Sequence, residues 1–128
     1  MSGITSVLLV DDNLAFLTQL KLLFQRAGYK VAATTSPIAA IYSLDTFRPD
    51  IVITDFVMPE MRGDELAEKI KDRTNAPDVL IMITQGVFPE SHRADGLIPK
   101  DALLVLLRNE TTYDELPPDD DDNEEDEK

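Results

Sequence analysis

Cysteine is absent from this chain of 128 residues, and histidine occurs once, as His92. Without cysteine there is no disulfide framework, no thiolate nucleophile and no Cys-based zinc or iron–sulfur site. A single histidine excludes a His-rich metal centre and argues against a catalytic triad. Cations are scarce as well, with 12 Lys and Arg against 25 Asp and Glu and a formal net charge of −13. Phosphate recognition needs clustered Lys and Arg, so the bulk surface is not built for nucleic acid, nor for an anionic membrane. Long apolar runs are also missing. Ile4–Val10 is stopped at once by Asp11 and Asp12, well short of the roughly 20 apolar residues of a spanning helix. Met1-Ser2-Gly3 lacks the basic region of a signal peptide. These absences lead to the expectation of a soluble, cytoplasmic protein with no membrane insertion.

What is present suits one domain. The length falls in the usual range of about 100–150 residues, and 43% hydrophobic content supplies one core. The acidity is mostly terminal: residues 114–128, DELPPDDDDNEEDEK, hold ten acids and one base. That stretch has one Leu, two prolines and no aromatic residue. It cannot bury enough surface to offset the entropy of ordering. The expectation is a folded domain over 1–113 and a disordered acidic tail over 114–128. The tail is either a solubilising end or an electrostatic arm for a basic partner, whose reach would fade with salt.

The first 113 residues alternate two periods. Short runs at Ile4–Val10, Tyr29–Thr35, Asp50–Thr54, Asp78–Thr84 and Gly96–Pro99 read as strands, and the β-branched and aliphatic run Ile4–Val10 suits one covered on both faces. Between them, Asn13–Gly28 carries Phe16, Leu17, Leu20, Leu23, Phe24 and Ala27 at helical spacing, with Asp12 or Asn13 as cap and Gly28 at the end. Ser36-Pro37 starts a second helix, Ser36 capping and Pro37 first inside. Gly63–Arg73 reads as a third, and Asp101–Asn109 as a last helix capped by Asp101. Strands and helices in this alternation make βαβ units, hence an α/β fold with a doubly wound parallel sheet.

In such sheets ligands bind outside the carboxyl ends of the strands. There the sequence places Asp11 and Asp12, Asp55, Thr84 and Lys100. Each has a plain reading alone: a helix cap, a turn hydroxyl, a solvated ammonium. Together they form a set. Clustered carboxylates raise one another's pKa unless a cation offsets them. A hard divalent ion with oxygen ligands meets that need, and Mg²⁺ fits the description. A carboxylate beside such an ion can attack phosphorus, while an ammonium and a hydroxyl stabilise the transferring group. Asp55 is the candidate attacker, because Asp11 and Asp12 share one loop.

The chain resembles the receiver domain of two-component response regulators. The stretches that carry the resemblance are VLLVDDN (Val7–Asn13), DIVITDFVMPEMRGDEL (Asp50–Leu66), the strand end at Thr84 and ADGLIPK (Ala94–Lys100). Asp55, Met58, Pro59 and Gly63 meet the spacing of the family's phosphoacceptor motif. The resemblance implies a five-stranded parallel sheet in the flavodoxin-like order 2-1-3-4-5. It implies that Asp55 accepts a phosphoryl group from a sensor histidine kinase or a histidine phosphotransfer protein. It implies Mg²⁺ held by Asp12, Asp55 and the backbone carbonyl of Val57, with Asp11 acting through water. Thr84 and Lys100 would bond the phosphoryl oxygens, and movement of Thr84 would carry the change to the surface. The expected role is a stand-alone signalling receiver working through protein–protein contacts, and not an enzyme beyond its own phosphorylation and dephosphorylation. His92, in the polar stretch SHRAD, reads as solvated rather than as a phosphotransfer group.

Several positions depart from the family pattern. Thr84 and Lys100 are 16 positions apart, short by about a turn and a half of helix. The fourth helix is therefore expected to be reduced or absent. Leu97 stands where an aromatic switch residue is common. Asp101 stands where a proline follows the lysine, so the peptide there is trans or strained. Pro99 falls within the fifth strand, tolerable at a sheet edge. These departures keep a second reading open, a phosphorylation-independent interaction module on a receiver scaffold. A phosphatase of the haloacid-dehalogenase type is disfavoured, because its second acid would fall at Val57. Gln85, where a small residue commonly follows the threonine, is expected to narrow access to the site. Gln85→Ala should therefore speed phosphorylation by small donors or speed hydrolysis, and a variant that changes neither rate contradicts the steric reading.

Overall fold

The computed structural model describes residues 3, 5–86, 89 and 93–110. The tail, the domain boundary near 113 and His92 lie outside the described residues. The elements run β1 (Ser6–Val10), α1 (Leu14–Arg26), β2 (Lys30–Thr34), α2 (Pro37–Thr46), β3 (Ile51–Asp55), α3 (Gly63–Lys71), β4 (Val79–Thr84), β5 (Gly96–Pro99) and α4 (Lys100–Glu110). All neighbouring strands pair in parallel, in the order β2-β1-β3-β4-β5. This is the expected doubly wound order.

Alternate strand residues enter two cores, as a pleated sheet requires. On one face Val7, Leu9, Ile53 and Ile83 pack with Leu17, Leu20, Leu23 and Phe24 of α1 and Leu103 and Leu107 of α4. On the other, Leu8, Val10, Val52 and Leu80 pack with Ala40 and Leu44 of α2 and Leu66, Ala67 and Ile70 of α3. Met58 and Met61 of the β3–α3 loop join that second core, the packing role their loop position suggests. Strand β1 is buried throughout, which explains its unbroken apolar run.

The local signals hold in detail and differ at several ends. Ser36 caps α2, accepting from Ala39 N at 3.1 Å, with Pro37 first in the helix. Asn13, not Asp12, caps α1, accepting from Phe16 N at 3.1 Å. Gly28, at φ 99°, closes that helix in the left-handed region where a side chain is costly. Asp55 is the last residue of β3 rather than the first beyond it. α4 begins at Lys100 rather than at Asp101, directly where β5 ends.

Between Thr84 and Gly96 no helix lies among the described residues. The returning chain is instead fastened to α3. Lys71 Nζ lies 2.8 Å from both oxygens of Asp95. Asp95 also accepts from Leu80 N at 2.7 Å, and Arg93 meets Asp72 at 3.0 Å. The Lys71 ammonium and that Leu80 N–H hold Asp95 below the ordinary carboxylate range. Pro99 lies in the edge strand β5, opposite Thr84. The described residues contain no cis peptide bond, so Lys100 and Asp101 are joined in trans.

Gly63 sets the distance between α3 and the end of β3. Its N–H donates to Phe56 O at 2.7 Å. A Cβ there would collide with Asp55 O and stand 2.8 Å from Phe56 Cα. Both obstacles are backbone, so the helix would have to move. Gly63→Ala is expected to cost about 1–3 kcal/mol as an overpacking change and to lower the urea midpoint. A midpoint equal to wild type would show that α3 can withdraw freely.

Candidate functional site

The ladder register builds the site before any side chain is considered. Val10 lies opposite Thr54, so the next residues, Asp11 and Asp55, emerge level on adjacent strands. Asp55 lies opposite Ile83 on β4, which puts Thr84 one step further out. Thr84 lies opposite Pro99, and Lys100 follows. The four strand ends that face one another therefore deliver the carboxylates, the hydroxyl and the ammonium to one edge.

Asp11, Asp12 and Asp55 each offer an oxygen, and these lie within 4.8 Å of one another. Asp11 is fully buried, Asp55 nearly so, and Asp12 is exposed. The β1–α1 turn is shaped by the site itself, since Asp11 Oδ1 accepts from Asn13 N at 2.8 Å. Lys100, buried at 9% exposure, brings Nζ to 2.8 Å from Asp11 Oδ2 and 3.4 Å from Asp55 Oδ2. Its ammonium also lies 4.7 Å from the centroid of the Phe16 ring. Thr84 is fully buried at the end of β4. Gln85 is exposed just beyond it, and Val57 projects an exposed side chain from the β3–α3 loop.

The charge at this edge is not balanced. Three carboxylates face one ammonium, and Asp11 Oδ2 is buried without a hydrogen bond although Lys100 Nζ stands close to it. Burying carboxylates in excess of the cations that face them is costly. All the donors are oxygens, the set that suits a hard divalent cation such as Mg²⁺. The residues therefore fit the ion the sequence reading called for.

The Asp55 pKa is raised to about 6 from an ordinary 3.8. Burial is the main cause and the Asp11 charge the second; Lys100 pulls the other way, and a hydrogen bond with Asp12 adds to the rise.

The sequence reading brought Asp11, Asp12, Asp55, Thr84 and Lys100 to one strand-end edge, and the structure puts them there. It did not find the Asn13 link to Asp11 or the Phe16 ring beside Lys100. Phe16 fits the apolar period of α1 and carries no local signal of a second role.

An open parallel sheet with an acidic strand-end pocket and a lysine at the end of the edge strand defines a receiver-type α/β domain. The response regulator receiver domain family matches residues 7–101, and the chain belongs to that family. It is 35% identical over 101 residues to the DNA-binding transcriptional regulator NtrC of Bradyrhizobium, covering 74% of this chain and 21% of that protein. It is 29% identical over 77 residues to the sensory transduction protein RegX3 of Mycobacterium tuberculosis, covering 60% of this chain and 34% of that protein. The chain thus spans about a third of one of these relatives and about a fifth of the other. Among solved structures, the Vibrio cholerae chemotaxis protein CheY4 is similar, with a TM-score of 0.72 at 25% identity over 84% of this chain and 98% of that one. A receiver domain from Methanoculleus marisnigri superposes with a TM-score of 0.70 at 23% identity, covering 84% and 93%.

The raised Asp55 pKa makes a stability prediction. Between about 3.8 and 6 the folded protein holds a proton that the unfolded chain has released. Stability therefore falls as pH rises through that window, and the contribution present below it is lost above it. In chelator, Asp55→Asn should be more stable than wild type at pH 7–8, on the order of 2 kcal/mol. The gap should close toward pH 4. Urea melts across pH check this, and a gap independent of pH would refute it.

Proposed function

We propose that this chain is a phosphoryl-accepting receiver in which Asp55 takes the group from a phosphohistidine of a sensor kinase or phosphotransfer protein. The observation that carries the reading is the Lys100 ammonium 3.4 Å from Asp55 Oδ2 within the three-carboxylate cluster. A binding-only module has no need to bury this unbalanced charge. An Asp55 oxygen attacks phosphorus, forming the O–P bond of an acyl phosphate as the N–P bond breaks. The electron pair of that bond returns to the ring nitrogen, and a proton already on the donor imidazole's other nitrogen lets the ring leave neutral.

Lys100 would move from its pair with Asp11 to a phosphoryl oxygen, a short step given its position between the two carboxylates. Thr84, at the end of β4, would supply a hydroxyl to another. Asp12, Asp55 and the Val57 carbonyl would hold Mg²⁺, with Asp11 behind a water. When bound, the ion neutralises charge on the carboxylates and the transferring group. The donor would be the phosphoprotein, and the readout a contact with a further protein.

The helix-free described part of the β4–β5 connection and the half-buried Leu97 favour one alternative, an interaction module that works without phosphorylation. Radiolabel transfer from a phosphohistidine donor separates the two. Wild type should take up label that is alkali-labile, as an acyl phosphate is. Asp55→Asn should lose it by more than about a hundredfold. Label that persists in the variant, or wild type that binds neither Mg²⁺ nor beryllofluoride, would sink the phosphoryl reading and leave the alternative.

A further inference from the structure

We propose that Phe16 is a positioning residue for Lys100, its ring holding the ammonium where it can serve a phosphoryl group on Asp55. The inference rests on the phosphoryl reading above. Lysine is a point charge on a flexible four-carbon stem, and it keeps one position only if something other than its target holds it. Asp11 Oδ2, at 2.8 Å, draws Lys100 toward β1; Asp55 Oδ2, at 3.4 Å, is a looser contact. The third contact is the Phe16 ring, with its centroid 4.7 Å from Nζ. That is inside the roughly 6 Å at which a ring face attracts a cation. Lys100 is 9% exposed, and such contacts strengthen when desolvated.

The backbone that carries the ring is tied to the site. Phe16 N donates to Asn13 Oδ1 at 3.1 Å, and Asn13 N donates to Asp11 Oδ1 at 2.8 Å. Asp11 then pairs with Lys100, which meets Phe16. The four residues close a circuit around the ammonium. A third carboxylate in the place of Phe16 would also hold Lys100, but it would cancel the charge a phosphoryl oxygen needs. A ring face holds the ammonium and leaves its positive charge in full.

A plainer role must be separated, because Phe16 also packs, partly buried, against the α1 and α4 core. Fluorination separates them: it weakens the ring's attraction for a cation while hardly changing its shape. The experiment uses the full chain with mono-, di- and trifluorophenylalanine at position 16, together with Phe16→Leu and Phe16→Tyr. It reads Mg²⁺ affinity alone, then beryllofluoride affinity with Mg²⁺ present. The expected result is no weakening of Mg²⁺ binding, with a stepwise loss of beryllofluoride affinity. That loss should reach about two- to thirtyfold for the trifluoro ring and for Phe16→Leu, with Phe16→Tyr close to wild type. If wild type binds beryllofluoride and fluorination changes nothing, Phe16 does not position Lys100. If both affinities fall together in every variant, its role is packing alone. If wild type binds no beryllofluoride, the phosphoryl reading fails and this inference fails with it.

Discussion

Like charges held together at the end of a parallel sheet are the constraint on which the rest of this molecule turns. Asp11 and Asp55 are level because β1 and β3 pair in register, and neither can retreat without breaking a buried strand. The covers on both faces remove the water that would screen them. Lys100 answers part of that field, and its own position depends on β5 pairing with β4 at the sheet edge. The pocket is therefore a product of the sheet's hydrogen bonding and of the two apolar cores that fix the sheet. Its chemistry cannot be separated from its architecture.

The second face shows how a shortened chain keeps that architecture. A connection of eleven residues joins β4 to β5, and none of its described residues is helical. Its returning end is tied to the foot of α3 through Lys71, Asp72, Arg93 and Asp95, and Ala94 packs against the second core. Two of these ties are largely exposed ion pairs, which are individually weak. The Asp95 contacts to Leu80 N and from Asp95 N to Leu80 O add direct backbone links to β4. The edge strand is thus anchored to α3 through the residues that precede it.

Much of this was readable from sequence because its signals are local. The Ser36-Pro37 helix start, the Gly28 end and the aliphatic runs each follow from the chemistry of a few neighbouring residues. The strand-end positions of Asp11, Asp55, Thr84 and Lys100 follow from where those runs stop. What could not be read depends on three-dimensional neighbours. Asn13 and Asp12 are both good caps, and only the turn geometry selects Asn13. Whether Asp55 ends β3 or follows it is decided by its pairing with Ile83. The contact of Phe16 with Lys100 joins residues far apart in the chain, and the helical period hides it. Gly63 was visible as part of a motif, but its reason lies in the backbone of Asp55 and Phe56.

The junction of β5 and α4 carries a mechanical meaning. The strand ends at Pro99 and the helix starts at Lys100, so no loop residue stands between them to absorb a displacement. The side chain that reaches the pocket belongs to the first residue of an eleven-residue helix, a rod of about 16 Å at 1.5 Å per residue. Any backbone motion that accompanies a new partner for Lys100 is a motion of that rod's near end. Strand edge, pocket ammonium and α4 are thus joined end to end, and the same helix carries the exposed Val105 and Leu106 away from the pocket.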